Sequence, residues 1–181
     1  MPSDGWELIR AARTDAGMFG VWQPEHFAGV TSLDEWEDEV SEDAALLRHI
    51  EAGVFVPINI GGGGAYQFTV RHGGPAGGLT EREGRYRLVS SKPYLLIAKG
   101  QTALGGLEAV GQYSGVDPLA LPTDPGRYAV TIHLIDWKAE PGTADPDGKP
   151  TTNALSDFII EIYPESGSEE YRLSLATFDR P

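Results

Sequence analysis

The sequence predicts a mainly β protein, an antiparallel β-sandwich of the jelly-roll type with one helical segment near residues 33–51. Three observations support this fold class. From Val54 onward, apolar residues alternate at a period of two in short runs. The chain contains 23 Gly and 13 Pro, which often separate these runs, and a single segment repeats at helical spacing. Many short strands punctuated by turn residues are typical of antiparallel sandwiches and barrels.

Short strands are predicted on both sides of the helical segment. WELIRAAR and GMFGVWQ precede it, and the later strands are VFVPINI, AYQFTV, GRYRLVSS, PYLLIA, QTALGGLEAV, GRYAVTIHLIDW, SDFIIEIYP and YRLSLAT. The interruption at 138–155 is rich in Gly, Pro and Asp and predicts a long surface loop. A chain of 181 residues can bury one sizeable core, so we expect residues 1–181 to form a single domain.

The helical prediction depends on the segment TSLDEWEDEVSEDAALLRHIEAG. Ser32 and Glu35 have the spacing of a capping box, and Gly53 is placed to end the helix. Ser41, followed by two acidic residues, can also start a second helix, so the segment is either one helix or two. Apolar residues at steps of three and four predict one buried stripe, formed by Leu33, Trp36, Val40, Ala44, Leu47 and Ile50.

Four consecutive glycines, Gly61 to Gly64, form the most motif-like feature of the chain. A phosphate-binding loop needs glycines that lead into a helix, because the helix amide groups point at the anion. Here the glycines lead into AYQFTV, in which Tyr66, Phe68 and Val70 alternate as in a strand. Glycine also adopts the positive φ angles that tight hairpin turns require. The segment is therefore predicted to be a hairpin turn and not a phosphate cradle.

Acidic residues are concentrated in the predicted helical segment. The net charge of the chain is −13, and residues 34–51 carry eight carboxylates against one arginine, a local charge of −7. This charge disfavours binding to the phosphate backbone of nucleic acid. It either solvates one helix face or attracts a basic protein such as a nuclease. The predicted partner-binding residues are Asp34, Glu35, Asp38, Glu39, Glu42 and Asp43.

The remaining composition leads us to expect a cytoplasmic protein without a metal or a cofactor. The chain has no cysteine, and its start, MPSDGWELIRAARTDAGMFG, lacks the apolar core of a signal peptide. No apolar run approaches the roughly 18 residues of a membrane span. The four histidines lie far apart in the sequence and form no pair with metal-ligand spacing. In GQYSG, Ser114 stands one position away from the serine of the nucleophile elbow G-x-S-x-G, so it is not expected to be a nucleophile. No residue of the chain is predicted to be catalytic.

Two late strands, in YAVTIHLIDW and DFIIEIY, each have an apolar and a mixed face. Their apolar faces predict a shared core of Ile132, Leu134, Phe158, Ile160 and Ile162. If Ile132 pairs with Ile162, then His133 lies opposite Glu161; a slip of two residues keeps the faces and is expected to break this pair. A face with aromatic and polar groups suits a sugar or another small ligand. Its predicted ligand-binding residues are Thr131, His133, Trp137, Glu161 and Tyr163.

Two pairs of segments define an order of secondary-structure elements. An acidic, aromatic helix start precedes a strand (LDEWEDEV before IEAGVFVPI), and a later pair of strands follows (DPGRYAVTIHLIDW before SDFIIEIY). In this order the chain resembles the competence-protein-J family, whose members include an inhibitor of a DNA-entry nuclease. The loop at 138–155 and the four glycines do not match the family pattern. The resemblance implies a non-enzymatic, protein-binding β-sandwich, for example a nuclease inhibitor or an immunity protein. It transfers no catalytic residue.

Three functions are compatible with these features, and the first is favoured. It is an acidic module that binds a basic protein through the segment between Asp34 and Glu51. The second is a small-ligand or carbohydrate-binding sandwich that uses the mixed face around His133. The third is a hydrolytic enzyme with a His–carboxylate site on that same face, for which the sequence offers no accompanying nucleophile or metal set.

Overall fold

The computed structural model describes residues 5–74 and 78–179. Within them, ten strands form two sheets, which confirms the mainly β class. In chain order the strands are β1 (Trp6–Thr14), β2 (Met18–Trp22), β3 (Phe55–Asn59), β4 (Gly64–His72), β5 (Arg87–Ser90), β6 (Tyr94–Ala98), β7 (Thr102–Gly106), β8 (Leu119–Leu121), β9 (Gly126–Ile135) and β10 (Phe158–Pro164).

The first sheet is mixed and has the strand order β1-β4-β10-β9-β5, with β6 also paired to β9. Strand β10 runs antiparallel to β9 but parallel to β4. The prediction of a purely antiparallel fold is therefore wrong for this pair. The chain between His72 and Phe158 is long enough for the crossover that a parallel pair needs. Apolar alternation does not encode strand direction, so the sequence pattern could not distinguish the two arrangements.

The second sheet is antiparallel, with the order β3-β2-β7-β8. Because β3 belongs to this sheet and β4 to the first, the glycines between them form no hairpin, and that prediction is wrong. They carry the chain from one sheet to the other. Gly61, at φ +72°, donates a backbone hydrogen bond to the carbonyl of Gly17 at 3.1 Å. The glycines lead into a strand and not into a helix, as the sequence predicts.

The two sheets share one apolar core. Phe19 of β2 and Phe68 of β4 contact edge to face, with ring centroids 4.9 Å apart. The predicted apolar face of β9 and β10 lies in this core and is confirmed, although Leu134 is only half-buried. Its fully buried members are Ile132, Phe158, Ile160 and Ile162. The finer sandwich or jelly-roll arrangement stays a prediction.

The acidic helical region consists of three parts and is not one helix. They are α1 (Leu33–Trp36), a wider π-type turn (Glu37–Ser41) and α2 (Asp43–Glu51). Half of the predicted capping box forms: the Oγ of Ser32 accepts a hydrogen bond from the backbone N–H of Glu35 at 3.2 Å, but the Glu35 carboxylate accepts from hydroxyls and not from the backbone N–H of Ser32. Glu42 has an extended backbone (φ −82°, ψ 126°) and separates α2 from the turn. The prediction of a single helix is therefore wrong. The alternative prediction, in which a second helix starts near Ser41, is closer to the structure.

The buried stripe predicted for this region is correct only in part. Val40 and Ile50 are buried and Trp36 is half-buried. The predicted burial is wrong for three exposed residues, Leu33, Ala44 and Leu47. Because an extended residue breaks the helical repeat, α2 does not continue the stripe of α1. It buries a different set, Ala45, Leu46, His49 and Ile50.

Two further segments differ from the predicted strands. GRYRLVSS begins inside a short helix, α3 (Glu81–Tyr86), and its second half forms β5. The sequence prediction missed the capping box that starts α3, in which Thr80 and Glu83 accept hydrogen bonds from each other's backbone N–H groups. YRLSLAT forms no strand, although the N–H of Arg172 donates to the carbonyl of Pro93 at 2.9 Å. Across the described residues, no helix has both the length and the apolar character needed to cross a membrane.

Replacing Ile160 with Asp is expected to unfold the protein. Ile160 is fully buried in β10, which is paired on both sides. An unpaired carboxylate there costs several kcal/mol or more, which is comparable to the total stability of a domain. Circular dichroism should show loss of the cooperative thermal transition. Leu173→Asp is the control, because Leu173 is 59% exposed. A wild-type melting temperature for Ile160→Asp would contradict the assignment of this face.

A buried histidine at the end of β4 lacks hydrogen bonds. His72 is 4% exposed, and neither of its ring nitrogens has a partner among the described residues. Its ring stacks on Trp6, with centroids 5.2 Å apart and an interplanar angle of 1°. Burial lowers the pKa of His72 below 6.5, and the opposing effect of the Asp124 charge is smaller. The folded protein therefore disfavours protonation of this ring.

Acidification is expected to destabilise the fold through His72. Since the folded pKa lies below the ordinary 6.5, the unfolded chain takes up the proton first, and stability falls as the pH drops below about 6.5. His72→Phe retains a ring against Trp6 and removes this proton uptake. Denaturant titrations at about pH 7 and about pH 5 should show a smaller loss of stability for the variant than for the wild type. Equal losses in the two proteins would rule out this role for His72.

Candidate functional site

The acidic segment, defined as residues 34–43, presents most of its carboxylates to solvent. Five of the six predicted partner-binding residues are exposed and Glu39 is half-buried; the exposed ones are Asp34, Glu35, Asp38, Glu42 and Asp43. The carboxylate of Glu35 accepts hydrogen bonds from the hydroxyls of Thr31 and Ser32. Within the part of the chain that the structure describes, no ion pair neutralises Asp38, Glu42 or Asp43. These three carboxylates are available to a partner.

Glu39 is held by a chain of two histidines. The Nε2 of His49 lies 2.9 Å from the carbonyl oxygen of Glu39 and 3.2 Å from its carboxylate. The Nδ1 of the same ring lies 3.2 Å from the Nε2 of His26. Burial lowers the pKa of His49 below 6.5 and outweighs the backbone hydrogen bond to Glu39, which raises it. His49 ties the π-type turn to α2, and His26, which is distant in sequence, joins residues 24–27 to the same contact.

A cleft of about 310 Å³ opens beside the acidic segment. Its lining includes the buried Phe27 and Val30 together with the carboxylate residues Glu35, Asp38 and Glu39. A cationic side chain in this cleft meets opposite charges and also apolar surface for its methylene stem. The arrangement therefore suits a lysine or arginine side chain.

The second predicted site, the mixed face of β9 and β10, forms in a different register. Ile132 lies opposite Ile160 and not Ile162, so the predicted pairing is wrong by two residues. His133 and Glu161 nevertheless remain in contact as diagonal neighbours, with 2.8 Å between Nε2 and Oε1. Long side chains reach diagonal positions across an antiparallel pair. The expectation that a two-residue slip breaks this pair is therefore also wrong.

The other polar groups of this face are bonded to one another as well. The hydroxyls of Thr131 and Tyr163 are 2.9 Å apart, and the Nε1 of Trp137 donates to the carboxylate of Asp157 at 2.8 Å. Trp137 is buried in a small cluster that includes Tyr86 of α3. The structure thus brings all five predicted ligand-binding residues to one sheet face, where three are buried and Thr131 and Tyr163 are half-buried.

Ser90 joins this network and was missed by the sequence prediction. Its Oγ lies 2.6 Å from the Nδ1 of His133, and the Nη1 of Arg87 donates to the same oxygen at 3.1 Å. Ser90, His133 and Glu161 therefore form a hydroxyl–imidazole–carboxylate chain. This is the order of groups that activates a serine nucleophile in hydrolases. Here the imidazole is buried, and the chain of contacts joins β5, β9 and β10. Without the strand order, nothing in the sequence places Ser90 beside His133.

The carboxylate of Glu161 is kept ionised by its partners. Burial raises its pKa, but the hydrogen bonds from His133 and from the backbone N–H of Gly78, together with the charges of His133 and Arg71, outweigh burial. The pKa of Glu161 therefore lies below the usual 4.5. The Gly78 bond is 3.1 Å long and fixes the chain that leads into α3.

No family model matches the chain, and no curated protein matches it in sequence. Similar folds occur among solved structures. One is described as crocagin biosynthetic gene J; it has 17% sequence identity and a TM-score of 0.56, and the match covers 91% of this chain and 99% of that chain. Another is ComJ of Bacillus subtilis, with 11% identity, a TM-score of 0.51 and coverage of 90% and 98%.

The chain has a fold like that of ComJ. The resemblance to the competence-protein-J family that the sequence suggests is thus confirmed at the level of the fold. ComJ is an inhibitor of the DNA degrading activity of NucA. At identities this low, the likeness concerns the fold alone.

Glu161→Gln is expected to make folding less sensitive to acid. Because the folded pKa of Glu161 is below 4.5, the ionised carboxylate contributes stability above about pH 4.5 that is lost as the pH falls through the folded pKa. Gln retains an oxygen for His133 but does not titrate. The variant should be about 1–3 kcal/mol less stable than the wild type at neutral pH and lose less stability on acidification.

Denaturant titrations at a series of pH values measure both effects. Glu170→Gln is the control, because Glu170 is exposed and has no bonded partner among the described residues. An acid dependence of Glu161→Gln that matches the wild type would show that Glu161 does not contribute to the pH dependence of stability.

Proposed function

We propose that the protein binds and inhibits a basic protein, with a nuclease as the preferred partner, through the acidic segment. The observation that carries this proposal is the set of exposed carboxylates without ion pairs beside a cleft that suits a cationic side chain. The fold supports it too, because ComJ, a nuclease inhibitor, has a similar fold. Masking of a partner requires no bond making or breaking, so the proposed role is non-enzymatic.

Opposite charges favour this association before the two surfaces touch. Residues 34–51 carry eight carboxylates and one arginine. A surface of one sign increases the association rate with an oppositely charged partner. The Debye length is about 8 Å at physiological ionic strength, so this attraction weakens as salt is added. After the encounter, a lysine or arginine in the cleft beside Asp38 would act as the anchor, since affinity concentrates in a few buried contacts.

The partner can be captured from native extract on the immobilised protein at low salt and released at high salt. The released fraction is expected to degrade plasmid DNA, and added soluble protein should suppress this degradation. If the released fraction has no nuclease activity, or if its activity is unaffected by the added protein, nuclease inhibition is not the function.

Removal of three charges from the acidic segment is expected to slow association with the captured partner without changing folding. The variant combines Asp38→Asn, Glu42→Gln and Asp43→Asn and leaves the hydrogen-bonded Glu35 and Glu39 intact. Each exposed charge contributes roughly 0–1 kcal/mol to stability, whereas association at low salt should slow about tenfold. Surface plasmon resonance at increasing salt measures the association rate, and the difference from the wild type should shrink.

The control variant removes three exposed carboxylates elsewhere, by Glu81→Gln, Asp147→Asn and Glu170→Gln. It changes the net charge by the same amount, and Glu81, like Asp43, is the first residue of a helix. It should associate nearly as fast as the wild type. If both variants slow association equally, the net charge is responsible and not the segment. If neither does at any salt concentration, the segment is only a solvated helix face.

A further inference from the structure

A groove of about 920 Å³ lies on the outer face of the first sheet and shares no residue with the acidic segment. Its base includes Gln67, Thr69 and Arg71 of β4, which alternate with residues that point into the core. Ile9 of β1 lies beside them. The walls are α3 and residues 151–156, which precede β10. None of the predicted ligand-binding residues lines this groove, but it lies on the same sheet face as the mixed face around His133, since Arg71 pairs with Glu161.

One arginine fixes the wall formed by α3. The two terminal nitrogens of Arg71 donate to the two carboxylate oxygens of Glu83 at 2.6 and 2.7 Å. Its Nε donates to Glu7 at 2.6 Å, and the hydrogen bonds that Arg71 donates to Glu83 are the main cause that raises the pKa of Arg71. Glu83 also closes the capping box with Thr80. Both charges of this pair, in which Glu83 is buried and Arg71 half-buried, are satisfied within the protein.

A second arginine fixes the opposite wall. Arg82 of α3 donates to the carboxylate of Glu140 and, at 2.5 Å, to the backbone carbonyl of Asn153. The hydroxyls of Thr69 and Ser156 bond at 2.7 Å and join the base of the groove to the same wall. The groove is therefore formed before any ligand arrives, as is usual for small-molecule sites.

Most polar groups that remain available in the groove are neutral; the exceptions are the Oε1 of Glu7 and the Nη1 of Arg82, which form no hydrogen bond with any described residue. The side-chain amides of Gln67 and Asn153 and the hydroxyl of Thr152 form no hydrogen bond with any described residue. The Oγ1 of Thr151 also has no partner there, but it is buried and is not exposed to the groove. Amides and hydroxyls both donate and accept hydrogen bonds. The groove thus offers a ligand several neutral donors and acceptors, whereas its arginines are already paired with carboxylates.

We propose that this groove binds an uncharged, hydroxyl-rich small molecule of the carbohydrate class. Hydroxyl groups of a sugar match free amides and hydroxyls, because each also donates and accepts. Ile9, which is 47% exposed, and the half-buried Leu155 offer apolar surface to the C–H groups of a sugar ring. A charged ligand is disfavoured, since the charges of Arg71 and Arg82 are already neutralised by Glu83 and Glu140. The volume is in the range of about 300–1,000 Å³ that is typical of ligand pockets.

The test is a printed glycan array, followed by calorimetry with free glucose, galactose, N-acetylglucosamine and the glycan retained most strongly. The wild type is expected to bind at least one neutral sugar, and glucuronic acid should bind less well than glucose. Gln67→Ala and Asn153→Ala should each weaken binding about tenfold, the usual effect of one lost hydrogen bond. Both amides lack hydrogen bonds within the described residues, so the melting temperatures should not change.

Gln112→Ala is the matched control, because it removes an exposed amide outside the groove. The triple variant of the acidic segment should bind the sugar as the wild type does, which separates this test from that of nuclease inhibition. The proposal is overturned if the wild type binds no glycan or free sugar, or if the Gln67 and Asn153 variants bind as tightly as Gln112→Ala. Tighter binding of glucuronic acid would show that the arginines are available and that the ligand class is wrong.

Discussion

The insertion of β10 between β4 and β9 is the constraint on which the rest of the structure depends. Residues 158–162 of this strand are hydrogen-bonded on both sides, so the two faces of the strand are fixed relative to its neighbours. On the inner face, its apolar residues complete the core shared with the second sheet, and the buried ones are Phe158, Ile160 and Ile162. Because side chains alternate, the same strand must present its polar residues to the outer face. The burial of one face therefore determines which side chains of β10 lie on the outer face.

The outer residues of β10 then organise the chain segments that cover the sheet. The carboxylate of Asp157, which immediately precedes β10, accepts hydrogen bonds from the backbone N–H of Gln67 and from the ring of Trp137. Glu161 accepts from His133 and from the backbone N–H of Gly78, which leads towards α3. These two carboxylates thus set the positions of β4, the 138–155 segment and α3. The groove is the space left between these elements, so its shape follows from the placement of one strand.

Apolar periodicity was sufficient to predict the faces of the strands, but it contains no information about partners. The inward face of β9 and β10 follows from alternation alone, and the structure confirms it. Strand direction, sheet membership and register depend on contacts distant in sequence. For this reason the parallel pair, the crossing at Gly61 and the two-residue shift at Ile132 were not predictable. The same applies to Ser90 beside His133 and to His26 beside His49, where side chains meet through the order of strands and helices. The sequence of this region is compatible with one helix or with two. It therefore does not predict that the backbone becomes extended at Glu42.

The contrast between paired and unpaired carboxylates is the strongest argument that the acidic segment serves more than solubility. Three carboxylates that hold the fold together are each paired with a basic side chain, and the pKa of each is lowered. The pairs are Glu83 with Arg71, Glu140 with Arg82 and Glu161 with His133. In the acidic segment, neighbouring carboxylates such as Asp38, Glu42 and Asp43 are exposed without an ion pair. Neighbouring like charges repel one another, so these carboxylates do not stabilise the fold through mutual contacts. Unpaired, mutually repelling carboxylates, one of which (Asp38) lines the cleft, are therefore the feature on which the proposed cationic partner rests.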